Sequence, residues 1–392
     1  RHGLVTEFLG DDKIGKDEGL IQRVFLGFGD DSVAQLGGMH VVVEDASNLL
    51  TKILEWPRLL NYLEQSTRYL VFDERRNGRF RYFIPSELPL ERHDRYVRDM
   101  DEIFENYSQV VKKLIIYFQS KGKSEDVSDG AWRQAIRAKA CDLARNMLPV
   151  ATQATVGIYG SFQGIMRLIR LLKGSELREA QKIGQRIAEE ARKAAPAFFT
   201  GTPISRRREE DWIDYEKVVN DRISSWGATL NFRASTDLHN FDGEQFLVTL
   251  VDYYPKEEFD LLPHMYFSQS SLNMSSMIDR LALLKEYFSQ LSIESKENYF
   301  DTYFGTRLNR RHKPRRAIEY ARYNFEIMLD YGVFRDLQRH RLVDGIDWPS
   351  LTPNLGFEIP NEVKEANLSA KFARNFFIAL ELYNYLRRCG HN

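Results

Sequence analysis

Apolar positions along the chain change their period several times, and each change marks an element. Met39-His40-Val41-Val42-Val43-Glu44 is rich in β-branched residues and predicts a strand. Leu49, Leu50, Ile53, Leu54 and Trp56 then recur at helical spacing, and Pro57 disturbs that helix close to Arg58. A long charged helix is predicted over 91–120, with Tyr96, Met100, Ile103, Phe104 and Tyr107 on one face. Residues 131–147 and 161–193 read as further helices, separated by Leu148-Pro149 and a stretch of Thr, Val and Tyr. From Phe198 to Arg208 the chain turns polar and basic, so a first unit is expected to span 1–200.

Arg206-Arg207-Arg208 is most simply a solvated linker run, with nucleic-acid contact a distant second. The polar, aromatic stretch from Trp212 to Phe232 predicts an interdomain segment with a short strand, giving a linker over 201–243. A second unit over 244–392 opens on Phe246-Leu247-Val248-Thr249-Leu250-Val251, a continuous apolar run that predicts a buried strand. Helices follow at about 275–292 and 295–307. A further helix is expected from Ile327 to Leu337, ending on Arg339-His340-Arg341. The order of elements repeats that of residues 33–68, which predicts an internal duplication.

Composition narrows the class. At 392 residues, 43% hydrophobic and 28% charged, the chain reads as a globular protein of two or three domains. The 55 basic and 56 acidic residues leave a net charge of -1, so no global field draws it to nucleic acid or an anionic membrane, and any anion site must be local. No apolar run is long enough to span a bilayer, and a cytoplasmic location is expected. Cys141 and Cys389 make no disulfide framework, and Cys141 sits in an apolar helical run as an inert buried thiol. The eight histidines have no ligand spacing, so no metal is expected. Arg1 at the start, and a helix-like pattern at the end, predict a processed or incomplete chain.

Two separated stretches carry the candidate chemistry. Arg339, His340 and Arg341 are three consecutive groups able to meet a phosphate or an electron-rich ring; the alternative is a helix C-terminus favouring cations through its dipole. In Leu63-Glu64-Gln65-Ser66-Thr67-Arg68-Tyr69, the polar residues Glu64, Ser66 and Arg68 alternate. An extended backbone would put them on one face, suited to a pyrimidine nucleotide, while the competing reading is a surface pair of Glu64 with Arg68.

Together these stretches resemble the flavin-dependent thymidylate synthase family, which joins an Arg-His-Arg to a Glu-x-Ser-x-Arg-Tyr ending in one motif. The first stretch keeps the ending but has Trp56-Pro57-Arg58 where the triplet belongs, and the second keeps the triplet without the ending. Ala144-Arg145-Asn146-Met147-Leu148-Pro149 resembles the family's Ala-Arg-x-x-Leu-Pro. Gly29-Asp30-Asp31-Ser32-Val33-Ala34-Gln35-Leu36 resembles its histidine-bearing front motif with both histidines replaced, and the helix has Arg167, Arg170 and Leu172-Lys173 where an Arg that polarises uracil is expected.

The resemblance implies an α+β fold of two related units, each a mostly antiparallel sheet packed with long helices. It implies FAD-dependent methylation of dUMP to dTMP with methylenetetrahydrofolate and NADPH as co-substrates. It assigns Arg339 and Arg145 to catalysis, and Glu64, Ser66, Arg68, Tyr69 and Arg145 to substrate. Arg339, His340, Arg341, Arg58, Ser32, Gln35 and Glu319 fall to the flavin. Family sites form between subunits, so a homodimer imitating a tetramer is expected, with both motifs in one composite site. Two alternatives remain: a homologue that is inactive or methylates another pyrimidine nucleotide, and a nucleotide- or RNA-binding scaffold.

Overall fold

The structure, a computed structural model, describes residues 34–123, 126–199, 203–227, 248–268, 279–349, 351–353 and 356–389, without the side chains of residues 197 and 203–209. Ser32 lies outside the described residues. In chain order the main elements are strand β1 (Gly38–Ser47), helix α1 (Asn48–Leu54), β2 (Asn61–Glu64), α2 (Leu90–Ser120), α3 (Asp129–Ala144), β3 (Gln153–Ser161), α4 (Phe162–Gly174), α5 (Arg178–Ala194) and α6 (Pro203–Gly227). Then come β4 (Val248–Tyr254), α7 (Arg280–Ser289), α8 (Ile293–Phe304), β5 (Arg322–Ile327), α9 (Tyr331–Leu337) and α10 (Ser369–Arg388). The α+β class and the antiparallel pairing agree with expectation.

Two compact units divide the described residues. The first takes the chain up to residue 227 together with everything from Asp330 onward; the second takes the segments from 248 to Leu329. This division differs from the expected boundaries, because α9 and α10 pack with the first unit. The expected linker is also different: residues 203–227 form one helix, with no strand between Trp212 and Gly227.

In the first unit β3 is the central strand, flanked antiparallel by β1 and β2. Burial alternates along it, with Ala154, Val156 and Ile158 turned inward, the two-residue period of a half-buried sheet. A core of Leu50, Leu54, Leu60, Val156, Ile158, Ile165 and Leu168 lies between this sheet and α4 and α5. Phe104, Tyr107, Leu114, Cys141, Met147, Phe372 and Ile378 centre a second core of α2, α3 and α10. Cys141 is fully buried, and burial pushes its thiol up to about 11, so it stays protonated.

Serine oxygens start three helices of the first unit. Ser47, Ser128 and Ser161 accept from the backbone N–H of Leu50, Ala131 and Gly164, satisfying donors that a helix cannot use internally. Ser47 is tied further: its N–H and Oγ donate to the Glu179 carboxylate at 2.9 and 2.6 Å, and all of this is buried. Ser47→Ala is expected to cost about 1–3 kcal/mol, combining a lost cap with a carboxylate short of a donor. The midpoint of urea unfolding reads it.

In the second unit β4 pairs antiparallel with β5 in a two-stranded sheet. The apolar run that opens this unit predicted a buried strand, but every residue of β4 is exposed. A continuous apolar run does not by itself say what covers it. The helix expected from Ile327 to Leu337 starts later than expected: Ile327 ends β5, and the helix begins only at Tyr331, capped by Asp330. Leu261, Leu262, Met265, Leu284 and Phe288 form this unit's core. Among the described residues, no helix is long and apolar enough to cross a membrane.

Candidate functional site

Three segments of the first unit converge on one carboxylate. The end of α1 brings Lys52 and Glu55, the end of β2 brings Glu64, and α9 brings Arg335, Gln338 and Arg339. Tyr331 and Gln338 lie two helical turns apart, hence on one face of α9. That face lies along α1: the Tyr331 hydroxyl donates to the Asn48 carbonyl at 2.9 Å, and Gln338 Nε2 donates to the Lys52 carbonyl at 2.8 Å. The second bond satisfies one of the last carbonyls of α1, which have no partner within a helix. Trp348 packs on both Trp56 and Phe334, at 4.9 and 4.8 Å between ring centres, and pins the chain that follows the Arg-His-Arg.

Glu64 is buried, and α9 clamps it. Arg335 Nη2 donates to Glu64 Oε1 at 2.7 Å and Nη1 reaches Thr67 Oγ1 at 3.3 Å, while Arg339 hydrogen-bonds Glu64 Oε2. Lys52 Nζ donates to Glu55 Oε2 at 2.7 Å and stands 3.6 Å from Glu64. Arg339 also lies 3.4 Å from Glu55. Three cations thus face two carboxylates, leaving one positive charge in excess. Burial pushes Glu64 up, but Lys52, Arg335 and Arg339 outweigh it and hold its carboxyl well below the usual range. Glu55 moves the other way, raised by burial and by the charge of Glu64.

A second chain of ion pairs runs alongside. Arg68 Nε stands 3.1 Å from Asp142, Arg145 Nε is 3.3 Å from the same carboxylate, and Arg145 Nη1 donates to Asp336 on α9 at 3.1 Å. Gly332 allows this approach: a Cβ there would sit 3.1 Å from Arg145 Nε and 2.8 Å from Asn146 Oδ1.

The expected residues therefore sort into three groups. Glu64, Arg68, Arg145 and Arg339 join one polar system linking both motifs, within a single chain. Arg341 lies over the Tyr62 ring at 5.3 Å, Arg58 pairs with Asp344 at 3.1 Å, and His340 is exposed. Gln35 is exposed in a single short turn, and Glu319 belongs to the second unit, where it binds Arg316. One geometric expectation fails: Glu64, Ser66 and Arg68 do not share an extended face. β2 ends at Glu64 and the chain turns, so Glu64 points inward while the Ser66 hydroxyl accepts from the Arg68 N–H at 3.2 Å. Nor do Glu64 and Arg68 form the surface pair, each having other partners.

Sequence reasoning missed Lys52, Glu55, Arg335 and Asp336. Lys52 and Glu55 sit three apart inside an apolar helical run, and Arg335 stands one turn before Arg339. Charges placed at helical spacing within an apolar run were the available signal. Among the described residues, no group of three or more His, Cys, Asp or Glu is placed to hold a metal.

These features define a class: an α+β protein whose polar site is a cationic cluster assembled from distant segments and suited to an anion. Compared with known proteins, residues 5–197, about half of the chain, match the family model of the thymidylate synthase complementing protein. That segment is a divergent sequence of this flavin-dependent thymidylate synthase family. A UPF0159 protein of Chlamydia muridarum is 29% identical over 374 residues, covering 94% of this chain and 68% of its own length. The chain spans about two thirds of the length of such Chlamydia relatives. The flavin-dependent thymidylate synthase of Clostridium tetani is 23% identical over 192 residues, 49% of this chain and 71% of that one. Thymidylate Synthase X from Helicobacter pylori, crystallised with FAD and dUMP, shares 15% identity over 50% of this chain and 86% of its own, with a TM-score of 0.35.

Proposed function

We propose that the chain methylates dUMP to dTMP in a flavin-dependent reaction, with methylenetetrahydrofolate giving the carbon and a reduced nicotinamide the electrons. The observation that carries the reading is the meeting of Glu64, from the Glu-x-Ser-x-Arg-Tyr stretch, with Arg339, from an Arg-His-Arg 275 residues away. The family match over residues 5–197 supports the same reaction class.

The residues fit a large electron-rich anion such as FAD. The cluster carries a net positive charge, and Arg339, its most exposed cation at 41% of the side chain, would present that charge outward beside His340 and Arg341. When bound, the flavin supplies hydride. Glu64 and Glu55 orient the Arg339 guanidinium, and Lys52 and Arg335 keep Glu64 ionised so that the orientation persists. Arg145, held between Asp142 and Asp336, is positioned to polarise a ring or bind substrate, with Ser66, Arg68 and Tyr69 close in sequence to Glu64. Ser32, Gln35, Arg58 and Glu319 remain proposed flavin contacts, and a homodimer remains the proposed assembly.

Two observations favour a second reading, in which the chain binds the same ligands but methylates another pyrimidine nucleotide or has lost turnover. Arg58 is held by Asp344, and the helix carries Arg167, Arg170 and Leu172-Lys173 where the family pattern has its Leu-Arg. The purified protein is expected to show flavin absorbance or to take up added FAD. A colourless protein that takes up none refutes the flavin reading, and failure to rescue a thymidine-requiring host while flavin is bound selects the second.

A further inference from the structure

The cations that the family pattern reserves for substrate are already neutralised here. Arg68 and Arg145 share Asp142, and Arg145 also engages Asp336. A phosphate arriving at either would displace a carboxylate. Beside them, an open cleft of about 360 Å³ is lined by Tyr69, Arg133, Gln134, Arg137 and Ala138. Its volume lies within the range of small-ligand sites.

Arg133 and Arg137 are one turn apart on α3, so both project from the same side of the helix. Among the described residues neither has a carboxylate partner; Arg133 donates only its Nε, to the Asp129 carbonyl at 3.3 Å, which leaves its outer nitrogens free. Like charges at this spacing repel unless an anion lies between them. Tyr69 completes the cleft and is 61% exposed, a large aromatic residue left in water. Two unpaired guanidinium groups and an exposed ring in one concavity match a planar ring joined to a dianion.

We infer that this cleft holds the pyrimidine nucleotide, with its phosphate between Arg133 and Arg137 and its ring or sugar against Tyr69. The assignment rests on the nucleotide reading above and departs from the family pattern, which would place phosphate on Ser66 and Arg68. Gln134, on the same rim, is available to hydrogen-bond the nucleotide. Arg68 then acts to hold the loop that carries Tyr69 against α3, through Asp142.

Calorimetric titration with dUMP, deoxyuridine and inorganic phosphate tests this on the wild-type chain, the Arg133→Ala/Arg137→Ala double variant, Tyr69→Ala and Arg68→Ala. All four substitutions are at exposed positions, and circular dichroism checks the fold. The double variant should weaken dUMP on the order of ten- to a hundred-fold, as expected for lost charged hydrogen bonds, and leave deoxyuridine unchanged. Tyr69→Ala should weaken both nucleosidic ligands. Undiminished dUMP affinity in the double variant overturns the inference, as does a loss confined to Arg68→Ala. If the wild-type chain binds phosphate through these arginines but not dUMP, the pyrimidine assignment falls while the flavin spectrum still judges the wider reading.

Discussion

Replacing Glu64 with alanine is expected to lower the free energy of unfolding by about 3–5 kcal/mol at neutral pH. The reason is the company it keeps. Lys52 is buried and Arg335 nearly so, and removing Glu64 leaves Glu55 alone to balance them and Arg339. An uncompensated buried charge costs more than the pair contributes. Arg339→Ala should cost far less, since that guanidinium is partly solvated. The effect has a pH signature. Glu64 is depressed in the folded state, so its stabilisation is present above the unfolded carboxylate value of about 4.3 and is lost as pH falls through the folded value. Glu55 is raised, so its contribution has the opposite sense: present below the unfolded value and lost as pH rises through the folded one. Urea unfolding of wild-type and Glu64→Ala protein across pH 3–7 (about the range of carboxylate titration) should show the gap closing toward acid. A neutral-pH cost under about 1 kcal/mol would mean that α9 does not clamp Glu64.

Phe372→Ala is expected to cost about 3–5 kcal/mol, the range for deleting a fully buried aromatic ring. Phe372 lies in the core shared by α2, α3 and α10 and touches the Phe376 ring at 5.4 Å between centres. The variant separates two organisations of the chain. If residues 369–388 complete the first unit, unfolding of that unit moves to lower urea, and protection of α2 amides from hydrogen exchange drops with it. Unchanged α2 protection would place α10 elsewhere.

Local pattern made much of this fold legible. Tyr96, Met100, Ile103, Phe104 and Tyr107 were read as one helical face, and all five are buried. The valines of β1 and the apolar stripe of α1 were equally clear. What stayed hidden was pairing between distant segments. Nothing in 315–338 announces that Arg322 to Ile327 will pair with β4, because a six-residue apolar-polar run is compatible with either helix or strand. Nor does periodicity say which unit α10 joins. For the site, the two motifs were legible and their meeting was expected, but the resemblance, not the residues, suggested it. The spacing of Lys52 and Glu55 within an apolar run marked them as unusual, but not which segment would receive them, and Asp142 carried no such mark, because a charged residue within a helical pattern looks the same whether water or another segment receives it.

The return of α10 to the first unit has a consequence for synthesis on the ribosome. α2 ends at Ser120 and its partner begins at Ser369. At roughly 5–20 residues per second, the apolar side of α2 that α10 covers waits on the order of ten seconds to a minute for its cover. The nascent chain must therefore pass through an interval in which Phe104, Tyr107 and Leu114 lack part of their native packing. Chaperone occupancy during translation should be highest in that interval, and release should follow the emergence of Phe372.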